Sequence, residues 1–221
     1  MSKTVMDKLD SGRQYRTIDV SSFERRADGD TERIVSGYAS TFNQPYELFR
    51  MNFGGRQYIV REQVDRGAFA ETDMSDVIMQ YDHEGRVFAR GSNGTLKVTP
   101  DARGLHIEAN LGGTDIGRQL YQEIEGGYTT KMSFGFTVNK DKREETHSKD
   151  ESTGVETVEV LRTIIGVNKL YDVSAVSLPA NDATSISARS WAEGVVDQLE
   201  KEFLAQEEKR KRIRIKSKLG E

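Results

Sequence analysis

Cysteine is absent from all 221 residues, which excludes disulfides, thiolate nucleophiles and thiolate metal sites together. Its absence agrees with folding in a reducing cytoplasm. No apolar run approaches the length that spans a bilayer, and Met1-Ser2-Lys3-Thr4-Val5-Met6-Asp7 lacks the apolar centre of a signal peptide, so a soluble chain without a membrane partner is expected. Histidine is scarce: His83, His106 and His147 are the only three, and no two have the spacing of metal ligands on a helix face or hairpin. Neither a metal nor another cofactor is expected. Also missing are internal repeats and any alternation of strands with long helices, which argues against a doubly wound sheet.

What the chain has in quantity is charge. Charged residues make up 31% of it and mean hydropathy is −0.66, more polar than a compact domain usually is, so the termini and one internal loop should be exposed. The formal net charge of −4 is unevenly spread: residues 209–221 hold seven Lys/Arg against Glu221, a net +6, which leaves −10 on the rest. An acidic body with a basic tail is not the pattern of a nucleic-acid domain, whose cations cover a folded face. The tail reads as a solvated helix end, as a contact for an acidic partner, or as a segment removed by cleavage.

Residues 14–20 and 33–39 read as a hairpin around the charged turn 26–30, followed by a strand over 57–62 and a short helix over 67–72. The apolar run Val77-Ile78-Met79-Gln80-Tyr81-Asp82 ends at His83, where Glu84-Gly85 breaks it. A second hairpin, 95–98 with 105–110, flanks Pro100-Asp101-Ala102-Arg103-Gly104. Residues 114–125 form a helix, with Thr114 as its cap, Ile116, Leu120 and Ile124 on one stripe, and Gly126-Gly127 as its stop. A long polar loop over 139–154 links the Ser133 strand to a strand over 156–161, and a last strand over 169–178 is closed by Pro179-Ala180-Asn181. Ser190 and Glu193 form a capping box ahead of an apolar stripe of Val195, Val196, Leu199 and Phe203. Many short strands with few helices predict a mainly β, largely antiparallel barrel or sandwich with flanking helices.

Strict alternation in Lys131-Met132-Ser133-Phe134-Gly135-Phe136 puts Met132, Phe134 and Phe136 on one face and Ser133 and Gly135 on the other. A lone serine there is most often a polar residue on a wet face. His83, which continues the Val77, Met79, Tyr81 face, also reads as a hydrogen-bonded core histidine. Together with Asp172, however, these residues make the set that acyl transfer needs: an alcohol to attack, an imidazole to take its proton and a carboxylate to hold the imidazole. Spacing alone does not bring them together. His106 alternates away from Leu105 and Ile107, and His147 lies in the charged loop, so neither is assigned a role.

Five local patterns occur in register: Arg33-Ile34-Val35-Ser36-Gly37-Tyr38-Ala39 with Phe42-Asn43; Arg66-Gly67-Ala68-Phe69; Asp82-His83; Met132-Ser133-Phe134-Gly135-Phe136; and Leu170-Tyr171-Asp172 through Pro179-Ala180-Asn181. Over about residues 15–185 they resemble the tailed-bacteriophage prohead protease family, serine proteases of capsid maturation that look related to the herpesvirus assembly protease. The resemblance implies a compact antiparallel β-barrel of that type with flanking helices and a C-terminal helical basic tail. It implies Ser133 as nucleophile, His83 as general base and Asp172 as third member, in place of the family's common glutamate. Being one methylene shorter, Asp172 would need a closer backbone or a bridging water. The oxyanion hole is not legible in the sequence; backbone N–H groups near Ser133 and, second to them, the side chain of Arg162 on a neighbouring expected strand are its candidate donors.

The organisation so expected is a flexible N-terminus over 1–13, a protease domain over 14–186 and a helix with basic tail over 187–221. The implied activity is a serine endopeptidase, acting in the host cytoplasm inside the immature procapsid. It would cut the capsid protein and its scaffold segment and, as the resemblance implies, itself, with a homo-oligomer expected and no direct nucleic-acid role. The alternatives are a non-enzymatic assembly factor on the same fold, and an esterase or transacylase using the same three residues.

Overall fold

The computed structural model describes residues 12–19, 23–28, 32–176 and 182–219. Among them the strands run β1 Gln14–Asp19, β2 Glu24–Asp28, β3 Glu32–Thr41, β4 Tyr46–Phe53, β5 Arg56–Val64, β6 Ile78–Tyr81, β7 Glu84–Arg90, β8 Leu96–Pro100 and β9 Gly104–Asn110. Helix α1, Asp115–Glu125, leads into β10, Lys131–Lys149, then β11, Glu156–Val176, and α2, Asp182–Leu219. The mainly β class with flanking helices is as expected.

Hydrogen bonding divides the strands into two sheets, and no ladder closes them into a barrel among the described residues. One has the order β1-β10-β11-β5-β4, the other β2-β3-β9-β8. Strand β11 organises the first. Its opening half pairs in parallel with β5, its closing half in parallel with β6, and β10 runs antiparallel along its other edge. The remaining pairings are antiparallel. Phe42 bridges to Val64, joining the end of β3 to the end of β5.

Between the sheets lies the main core, with Val35, Ala39, Leu105 and Ile107 from one side and Met132, Phe134, Phe136 and Val173 from the other. Helix α1 adds Leu120, Tyr121 and Ile124, one helical stripe, and Thr114 caps it by accepting from the Gly117 N–H at 3.1 Å. A second apolar cluster joins Tyr58, Val60, Val158 and Val160 to Ala192, Val195, Val196 and Leu199 of α2. The basic end of α2 leaves that contact and is exposed from Leu204 to Arg214.

Several local expectations need correction. Strand β1 pairs with β10, and the hairpin partner of β3 is β2. Residues 67–72 form turns, with Gly67 and Asp65 in a tight side-chain-to-backbone contact of 2.8 Å where a helix was expected. The polar stretch 139–154 is largely strand: β10 continues to Lys149 and pairs with β11 from Glu156, and the strands expected separately at 156–161 and from 169 on are one as far as Val176, the last described residue of that stretch. Ladder hydrogen bonds satisfy the backbone there although the side chains stay in water. Ser190 lies inside α2, which begins at Asp182, so the helix start expected at Ser190 is not there. Pro179-Ala180-Asn181 and the tip of the first hairpin at 29–31 lie outside the described residues.

Candidate active site

Ser133 has Thr17 of β1 across one ladder and Ser174 of β11 across the other, and Asp172 lies opposite Gly135. A two-residue step along a strand returns to the same face, so Ser133 and Gly135 share a face with Ser174 and Asp172. His83 arrives from the β6–β7 turn. Tyr81 pairs with Glu84, and the two residues between, Asp82 and His83, have φ of 48° and 62°. Positive φ at both central positions suits the right-handed twist of a two-residue hairpin, though it costs a non-glycine residue on the order of 1 kcal/mol. The Asp82 N–H donates to the Ala175 carbonyl at 3.0 Å and ties the turn to β11.

These elements bring all three predicted residues together. His83 Nε2 lies 2.6 Å from Ser133 Oγ, and Nδ1 contacts Asp172 Oδ1 directly. The Ser174 hydroxyl donates to the same carboxylate oxygen at 3.1 Å. An ionised carboxylate only accepts, so Nδ1 carries the imidazole proton and Nε2 offers its lone pair to the serine O–H. No bridging water is needed for the short aspartate, because Gly135 opposite it has no side chain. A Cβ there would lie 2.5 Å from Asp172 Oδ2 and 2.8 Å from the Tyr15 ring.

The face carrying Ser133 is covered, contrary to the half-solvated strand expected. Ser133, His83 and Asp172 are 0%, 1% and 1% accessible. The Tyr15 ring lies 4.2 Å from the imidazole, centroid to centroid. Burial first, and the Asp172 charge second, push its phenol up to about 12, so it stays neutral. Arg13 Nη1 is 3.7 Å from Asp172 Oδ2, and its guanidinium sits 3.7 Å over the Tyr171 ring. Beside the histidine turn a cavity of about 530 Å³ opens between β7 and α1, lined by Tyr81, Glu84, Phe88, Ile116, Leu120 and Glu123 among others.

Arg162 is committed elsewhere. It contacts Glu62 at 2.8 Å, Asp141 at 2.5 Å and Gln14 at 3.0 Å, and stacks over Trp191 at 4.4 Å. Arg16 meets the same buried Glu62 through two nitrogens, at 2.5 and 2.9 Å. Arg162 therefore holds β11 to its neighbours, and the oxyanion expectation placed on it is withdrawn. His106 packs edge-on to Tyr38 and His147 to Phe203, neither at the site.

Sequence reasoning passed over Ser174, Gly135, Tyr15 and Arg13. The period-two spacing of Ser174 from Asp172 was a usable signal. Nothing local marks Arg13 or Tyr15, which meet Asp172 only because β1 adds to the edge of β10.

An alcohol, an imidazole and a carboxylate linked in that order form the arrangement by which serine hydrolases activate a hydroxyl. The profile of the caudovirus prohead serine proteases matches residues 20–196, and this chain belongs to that family. Membership supports a protease role in capsid maturation, at the capsid proteins within the procapsid. No curated protein and no solved structure matches the chain. No helix among the described residues is long and apolar enough to cross a membrane.

Proposed function

We propose that the chain is a serine endopeptidase that cuts capsid-protein and scaffold segments, and its own chain, in the immature shell. Ser133 is the nucleophile, His83 the general base and Asp172 the residue that orients it. The observation carrying this reading is the 2.6 Å contact from Ser133 Oγ to a His83 ring whose other nitrogen rests on Asp172.

In the first step Oγ bonds to the scissile carbonyl carbon while its proton passes to Nε2, and Asp172 offsets the charge formed on the ring. The C–N bond then breaks, the amine takes that proton, and an ester to Ser133 remains. Water, deprotonated by Nε2, attacks the ester and regenerates the hydroxyl. Since Ser133 is fully covered, a substrate reaches Oγ only after the cover over the site opens.

The test is co-expression with the capsid protein, wild type against Ser133→Ala. Wild type should trim scaffold and the variant should lose orders of magnitude in rate. Equal trimming in both would end the proposal.

A further inference from the structure

Arg13 stands just ahead of β1, outside residues 20–196 that the family profile matches. Its position is nonetheless built. Arg16, three residues on, is buried and grips buried Glu62 through two nitrogens, which pins the register of β1 against its neighbours. Tyr15 is fully buried against His83. Tyr171 supplies a platform for the Arg13 guanidinium at 3.7 Å, and Nη1 points to Asp172 Oδ2, the oxygen that His83 does not use.

We propose that Arg13 is a positioning residue of this active site, holding Asp172 ionised and oriented toward His83. The proposal rests on the reading of Ser133, His83 and Asp172 as the catalytic set. The groups facing the carboxylate are Arg13 and Tyr15 from the β1 side, Ser174 and Tyr171 on β11, and His83 from the turn. Glu84 is charged and acts on Tyr15, and Lys169 lies 5.7 Å from the Tyr171 ring. Of these, Arg13 is the permanent cation in ion-pair range of Asp172. A cation at that separation favours the charged carboxylate, and its removal lets Asp172 take a proton at higher pH. A protonated Asp172 no longer holds the His83 ring for Ser133, so the acid limb of Ser133 reactivity moves upward.

The experiment measures the rate at which diisopropyl fluorophosphate phosphorylates Ser133, with loss of fluoride, in the purified full-length chain across pH, with Ser133→Ala as the blank. Arg13→Met should shift the acid limb up by about one pH unit and lower the plateau, while Arg13→Lys stays near wild type. A limb that does not move in Arg13→Met, with wild type labelled normally, overturns the role of Arg13 and leaves the catalytic set standing. Wild type labelled no faster than the Ser133→Ala blank overturns both. Should Arg13→Met fail to fold, Tyr171→Leu, which removes the platform, should move the limb in the same direction by less, and an unmoved limb there again overturns the role.

Discussion

A methyl group at position 135 would lie 2.5 Å from Asp172 Oδ2 and 2.8 Å from the Tyr15 ring, both inside van der Waals contact. Each neighbour is a side chain that can shift, but shifting Asp172 takes its other oxygen off His83. Gly135→Ala is therefore expected to cost about 1–3 kcal/mol of stability, as overpacking does, and to lower the Ser133 labelling rate out of proportion to that loss. Denaturant melts run alongside labelling rates separate the two; a rate that falls no more than the folded fraction would place the glycine's role in packing alone. Residue chemistry at this site was partly readable in advance. An alcohol, a base and an acid could be named as Ser133, His83 and Asp172, because their roles follow from functional groups. Their supports, Arg13 and Tyr15, could not, because support depends on who is adjacent.

At the scale of elements, Glu62 joins four strands. It takes both arginines, Arg16 from β1 and Arg162 from β11, and accepts from Tyr46 of β4 at 2.6 Å while sitting on β5. Burial alone would raise its carboxyl, but the two guanidiniums outweigh burial and hold it below the ordinary range. A folded-state value depressed below the unfolded one adds stability above the unfolded value, and that stability is lost as pH falls through the folded value. Glu62→Gln takes from buried Arg16 the carboxylate it grips, while Arg162 keeps Asp141, and should cost about 3–5 kcal/mol at neutral pH. The gap between wild type and variant should then narrow on acidification; urea midpoints from neutral to acid pH measure it, and a gap independent of pH would show that the charge is unimportant. Helix α1 and the β8–β9 hairpin were legible because cap, stripe and turn are all local. The length of β10 and β11 was not, since charged residues 139–149 form strand only through the partner ladder.

The molecule as a whole divides into a packed body and a projecting basic helix end. The second core fastens α2 through Ala192, Val195, Val196 and Leu199, and buried Glu200 meets Tyr58 and Arg56. Beyond it, Leu204 and Ile213 are each 58% exposed, and the 3.9 Å pair of Arg56 with exposed Glu207 is worth little in water. Ending the chain after Phe203 should leave Tm within about 2 °C and Ser133 labelling unchanged. A larger fall in either would mean that the basic end supports the body rather than serving a partner.

Composition, patterning and functional groups by themselves determined a β-rich chain without thiol chemistry, an acidic body with a basic end, and which side chains could perform acyl transfer. These properties are local or additive, so order along the chain suffices to read them. Only tertiary structure decided that His83 meets Ser133, that Gly135 makes room for Asp172, and that β1 closes over the site. Each of those depends on strand pairing between residues far apart in sequence, and ladder hydrogen bonds carry no residue identity by which the partner could be read in advance.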